Sequence, residues 1–189
     1  MLRKIPFDTS APVLDRFALT QEGAGDVSGE MSPETALAAL HKAGHFVDLV
    51  NFLGFGLPPR EGVCWAMAVH CDLRPTVPEA DADARELVGR WVKDPQEATR
   101  ISLMEGADTR EADDPVSWLC KAVVWNGSGS IGPVDGPVVL PPAGLHASAL
   151  LGAVALLGGD NDDSLAAALD VAYTRGLEVA QGGWPLVAA

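Results

Sequence analysis

Five proline-marked steps divide this chain: Ser32-Pro33, Pro58-Pro59, Asp94-Pro95, Asp114-Pro115 and Pro141-Pro142. Proline suits the first turn of a helix, because the N–H it lacks would find no intrahelical partner there. A Ser or Asp just ahead of it can accept from the orphan amides that follow. The punctuation predicts a stack of helices joined by short connections, and it constrains the fold more tightly than any motif in the chain.

Apolar spacing fills in the elements. One helix is expected over about Pro33–Phe52, with Leu37, Leu40, Gly44, Val47 and Val50 on its buried stripe. A second, about Pro59–Cys71, carries Val63, Cys64, Trp65, Met67 and Val69 almost all round, which marks an interior helix. A third, about Glu79–Val92, buries Ala80, Ala84, Leu87, Val88 and Trp91. Asp94 and Glu97 spell a capping box for a short fourth helix carrying Ala98, Ile101 and Met104 and closed by Gly106. The fifth starts at Pro115, with Val116, Leu119, Ala122 and Val123 inward, and stops at Asn126-Gly127. A Gly/Pro-rich connection leads to Pro142, its Val138-Val139-Leu140 expected to pin the far end to the body while Gly127–Gly132 stay exposed. The sixth helix, about Ala143–Leu157, is apolar on nearly every side; the seventh runs from Asp160–Asp163 to about Ala180. The expected fold is all-α, a single-domain bundle or short helical-repeat-like stack of about seven helices over 32–183. Residues 1–31 read as an extended N-terminal arm and 184–189 as a C-terminal tail.

With 189 residues, 48% of them hydrophobic, the chain can bury a proper core. Its 26 acidic against 13 basic residues leave a net charge of −13, which repels nucleic acid and anionic membrane surfaces. Such a surface instead suits docking on a basic partner. Cys64, Cys71 and Cys120 form no CxxC pair, and all lie in apolar contexts, as buried thiols of a reducing compartment do. The start of the chain has no apolar run of signal-peptide type, and Leu145–Leu157 is too short to span a bilayer. A cytoplasmic protein without membrane insertion is expected.

Several constellations invite a chemical reading. Gly127–Gly132 matches G-x-G-x-x-G literally, but it leaves a helix and runs into Pro133, whereas a dinucleotide loop joins a strand to a helix; no cofactor is expected. His41, His45 and Asp48 fall on one helix face at spacings that suit zinc, although no fourth ligand is evident. His70 and Cys71 are adjacent and therefore point about 100° apart, which does not make a nucleophile–base pair. Ser128 and Ser130 lack a nucleophile elbow. Asp160–Ser164 opens like a calcium loop, but Leu165 and Val171 stand where Gly and Glu are required. His146 has no identifiable partner. No catalytic residue emerges, and a non-enzymatic protein is expected.

Trp65, Trp91, Trp118 and Trp125 occupy or adjoin apolar helical positions and are expected in the core. Trp125 also closes the fifth helix beside the glycine-rich connection, and Trp184 follows Gly182-Gly183. A long connection without regular structure is usually functional or disordered. Trp125, Ser128, Ser130, Ile131 and Trp184 are therefore the candidate partner-binding residues.

Ala39–Leu53, continuing into Leu57–Ala66, resembles the opening of an uncharacterised bacterial all-helical family. Arg90–Pro95, Trp118–Trp125, Gly127–Ile131 and the apolar run Leu145–Leu157 follow in the same order, so the resemblance covers roughly Met31–Gly182. Cys64 stands where that family carries an aromatic residue. The resemblance implies an unknown function in the genomic setting of contractile type VI secretion machinery, and its motifs are structural. The leading expectation is an adaptor or chaperone for an effector or spike component, with another protein as partner. The alternatives are an immunity protein that neutralises a toxin, and a metal-binding module built on His41, His45 and Asp48.

Overall fold

A computed structural model describes residues 2–107, 110–133 and 135–185. The described residues form ten helices and no strand: α1 (Ala11–Leu14), α2 (Gly23–Asp26), α3 (Pro33–Ala43), α4 (Phe46–Gly56), α5 (Pro59–Leu73), α6 (Glu79–Lys93), α7 (Glu97–Ala107), α8 (Pro115–Val124), α9 (Leu145–Ala155) and α10 (Asp162–Ala180). None of these helices is long and apolar enough to cross a membrane.

The proline steps work as helix starts at three of the five sites. Ser32 accepts from Thr35 N–H, Asp114 accepts from the N–H groups of Val116 and Ser117, and α5 begins at Pro59 directly after Pro58. The other two behave differently. Asp94 caps the end of α6 and no capping box forms, because the Glu97 carboxylate is taken by Arg100. The buried face of α7 is rotated accordingly, to Arg100, Leu103 and Ala107 instead of Ala98, Ile101 and Met104. Pro141-Pro142 end the connection, and α9 starts at Leu145, after Gly144 in the left-handed region.

The excess over about seven helices has two sources. The first expected helix is two, α3 and α4, broken where Gly44 turns left-handed (φ 82°) and His45 N–H donates to Leu40 O. The break re-aims the stripe, leaving Val47 45% exposed while Leu49 and Val50 are buried. The N-terminal segment supplies α1 and α2, and it is not an extended arm. Leu2, Ile5, Val13 and Val27 are buried in the core, Lys4 N–H donates to Ala180 O, and Ser10 N–H donates to Met31 O. Such isolated anchors have no periodicity for a sequence pattern to reveal.

At the centre lies α5, which packs against α6, α8, α9 and α10. Its Val63–Val69 are buried without interruption, and the Trp65 indole N–H donates to Ala172 O of α10 at 2.9 Å. Next to it, α9 bridges α8 and α4. Gly152 lets α9 lie on the face of Trp118, and Gly62 lets α5 meet Leu150 and His146; a Cβ at either position would sit 2.7 Å or less from the neighbour. The C-terminal end of α8, with Trp125, shares a groove with Phe55, Leu57 and Pro59 from the junction of α4 and α5.

Candidate docking face

Trp125 is the C-cap residue of α8 and is half-buried. Its ring meets Trp118 edge-on, with centroids 6.5 Å apart. Trp118 is fixed by its indole N–H donating to Ala112 O at 2.7 Å and by the Lys121 ammonium over its face. Of the four tryptophans expected inside, Trp65 and Trp91 are buried, whereas Trp118 and Trp125 are half-exposed.

Beyond Trp125 the chain turns at Gly127 (φ 94°), with Asn126 Oδ1 accepting from Ser128 N–H. Gly129 then lies on the Arg100–Glu97 pair, so close that a Cβ there would come within 2.9 Å of both side chains. Arg100 is buried, donates to both Glu97 oxygens at 2.6 and 2.8 Å, and reaches Val124 O. The guanidinium lowers the Glu97 pKa through these hydrogen bonds. Ser130 Oγ next accepts from Gly132 N–H and Val139 N–H, and Ile131 N–H donates to Val139 O at 2.8 Å. The connection is thus clasped to itself.

The clasp reverses the expected roles of its two ends. Gly127 and Ser128 are exposed, but Gly129–Gly132 are half-buried, and Ile131 packs against the core. Val138, Val139 and Leu140 do not pin the far end; Val138 is 78% and Leu140 61% exposed. The backbone N–H and C=O of Val139 are taken by Ser130 and Ile131, prolines flank the triplet, and its side chains stand out into solvent.

Two grooves flank Asn126-Gly127. One, of about 540 Å³, is walled by Phe55, Leu57, Pro59, Trp125, Pro141, Pro142 and His146. The other, of about 720 Å³, is walled by Pro58, Pro59, Arg60, Glu61, Trp91, Pro95, Glu97 and Ser128. Trp184 borders the second, its ring centroid 4.8 Å from the Arg60 guanidinium and 5.7 Å from Lys4 Nζ. Four of the five candidate partner-binding residues therefore belong to the α8 end and its clasp, and Trp184 joins them through Arg60. Sequence reasoning missed Phe55, Leu57 and His146, which only the packing of α4 and α9 brings here. His146 Nδ1 donates to Ala122 O at 3.0 Å, while Nε2 is buried without a partner; burial holds its pKa below the ordinary histidine value.

The other constellations are drawn apart. The break at Gly44 separates His41 from His45, and each of the three candidate ligands has its own partner. His41 bonds Asp170 and stacks on Tyr173, His45 bonds Asp26, and buried Asp48 accepts from the N–H and the hydroxyl of Thr20. Among the described residues no three His, Cys, Asp or Glu side chains are grouped to hold a metal ion. Burial, with Arg85 second, depresses the His70 pKa to about 4; burial also raises that of Cys71 and takes Cys120 to about 11. Both thiols stay protonated near neutrality, the wrong state for a nucleophile. Asn161 caps α10, so Asp160–Asp163 serve a helix start.

Residues 36–180 match the model of a family of unknown function, DUF6931. The chain belongs to this family. No curated protein and no solved structure matches it. The DUF6931 match takes in most of α3 and all of α4–α10, and hence both grooves and the clasp except Arg16, which also borders the first groove. Trp184 and the interlaced N-terminal segment lie outside it.

Proposed function

We propose that this DUF6931 protein is a non-enzymatic, cytoplasmic accessory protein of a type VI secretion system, an adaptor or chaperone that docks an effector or spike component on the face around Trp125. The observation that carries the reading is the exposure of Val138, Val139 and Leu140 beside a groove walled by Trp125, Phe55 and Leu57. Contiguous apolar groups held out in water by a bonded loop are what a protein partner covers. The secretion setting rests on the family resemblance of Ala39–Ala66 and the later segments.

The test is a pull-down with co-expressed products of neighbouring genes, at low and at physiological salt. Retention of a spike, tip or effector protein supports the reading; retention of none at either salt overturns it. The net charge of −13 favours a second reading, an immunity protein opposing a basic toxin, since an acidic surface gains on-rate from steering. Co-expression with each neighbouring toxin separates the two: an immunity protein rescues growth, and an adaptor does not.

A further inference from the structure

Between the C-terminal part of α5 and α6 lies a groove that the docking face does not use. Its floor is Met67 and Cys71 from α5 with Ala82 and Gly89 from α6, and its volume is about 540 Å³, within the range of small-molecule sites. Arg85, Arg90 and Lys93 rim it, against one carboxylate, Glu86. A rim of three cations to one anion stands out on a chain of net charge −13.

The individual charges sharpen the contrast. Arg90 is offset by Glu86 at 2.8 Å. Among the described residues Arg85 donates to the carbonyl oxygens of Arg74 and Pro75 and pairs with no carboxylate, and Lys93 has no ion-pair partner either. The nearby Asp72 already accepts from Arg175 Nε and Nη2, at 2.7 and 3.1 Å. Complementing the helix dipole accounts for Arg90 and Lys93 in the last turn of α6. It does not account for Arg85 in mid-helix, nor for an apolar floor between the cations. Arg85 and Lys93 are eight residues apart, about 12 Å along the helix, with Gly89 midway, where the Met67 methyl lies 3.6 Å from the place of a Cβ.

We propose that this groove binds a free single-chain carboxylate amphiphile, its head taken by Arg85 or Lys93 and its chain laid over Gly89, Met67 and Cys71. A monoanion fits two cations without a carboxylate partner among the described residues, and the acidic remainder of the molecule disfavours a more highly charged head or an anionic membrane.

Cys71 gives a readout at the site itself, because it is half-buried while Cys64 and Cys120 are buried. Alkylation of the intact chain by iodoacetamide at mildly alkaline pH, where a fraction of the thiol ionises, followed by mass spectrometry, should be slowed saturably by octanoate, about tenfold at ten times its dissociation constant. Octan-1-ol should protect less, and octyltrimethylammonium not at all. Lys93→Gln, which breaks no side-chain bond among the described residues, should weaken protection by octanoate without changing the melting temperature; Arg85→Gln, which also loses the bonds to Arg74 O and Pro75 O, should weaken protection further. Equal protection by all three head groups, protection unchanged in both Lys93→Gln and Arg85→Gln, or no protection by octanoate would each overturn the proposal.

Discussion

Asp48 carries more of the structure than its place in a candidate ligand set suggested. It is 1% exposed, and its two oxygens accept from Thr20 N–H and Thr20 Oγ1 at 3.0 and 2.5 Å. Gly23 must be glycine beneath it, since a Cβ there would lie 2.0 Å from Asp48 Oδ2. Asp48→Ala orphans these donors and should cost about 1–3 kcal/mol in a urea melt. A cost near zero would mean that water replaces the carboxylate. His70 makes a second residue-scale prediction. Its folded pKa of about 4 lies below the ordinary 6.5, so between these values the unfolded chain binds more protons. Stability is therefore complete above pH 6.5 and falls as the pH drops toward 4, by on the order of 3 kcal/mol from this residue. His70→Gln should lose less stability than the parent between pH 7 and pH 4.5 in paired urea melts; parallel losses would refute a buried neutral imidazole. Neither role was legible in the sequence, because each depends on an element distant in the chain.

Among the elements, the α3–α4 break and the clasp make the clearest predictions. Gly44 has a φ of 82° and no neighbour within 4 Å of a would-be Cβ, so Gly44→Ala tests the backbone alone and should lower stability by about 1 kcal/mol. Gly176 is the opposite case: a Cβ there meets Leu53 Cδ1 at 2.4 Å, and Gly176→Val should cost about 1–3 kcal/mol by prising α10 from α4. In the clasp, Ser130→Ala removes the acceptor shared by Gly132 and Val139. Amide exchange should quicken at those two positions with little change in melting temperature; a collapse of the fold would instead make the segment a structural strap. Helix existence was legible because Ser32, Asp114 and Asn161 act through neighbours three residues or fewer away. The face of α7 was not, because burial of the Arg100 guanidinium depends on α8 and on Gly129. Val138–Leu140 misled for a related reason: apolar character reports a tendency to be covered, not what covers it.

At the scale of the molecule, the chain folds as one interlaced body in which residues 2–31 complete the core and Trp184 stacks on Arg60. Its acidic surface sets which partners approach, while the α8 end, the clasp and the two grooves offer the apolar ground on which one could stay. The position of Trp125 beside the connection was readable from order along the chain; the grooves were not, since Phe55, Leu57 and His146 arrive from α4, its end and α9. The role proposed for this face is to dock a protein partner. The direct measurement is a pull-down of co-expressed neighbouring spike, tip and effector proteins by the parent chain and by a Val138→Asp, Leu140→Asp variant, both side chains being exposed and unneeded by the core. The parent should retain one of these proteins, and the variant should lose it at an unchanged melting temperature. Equal retention by the folded variant, or none by the parent, would contradict the claim.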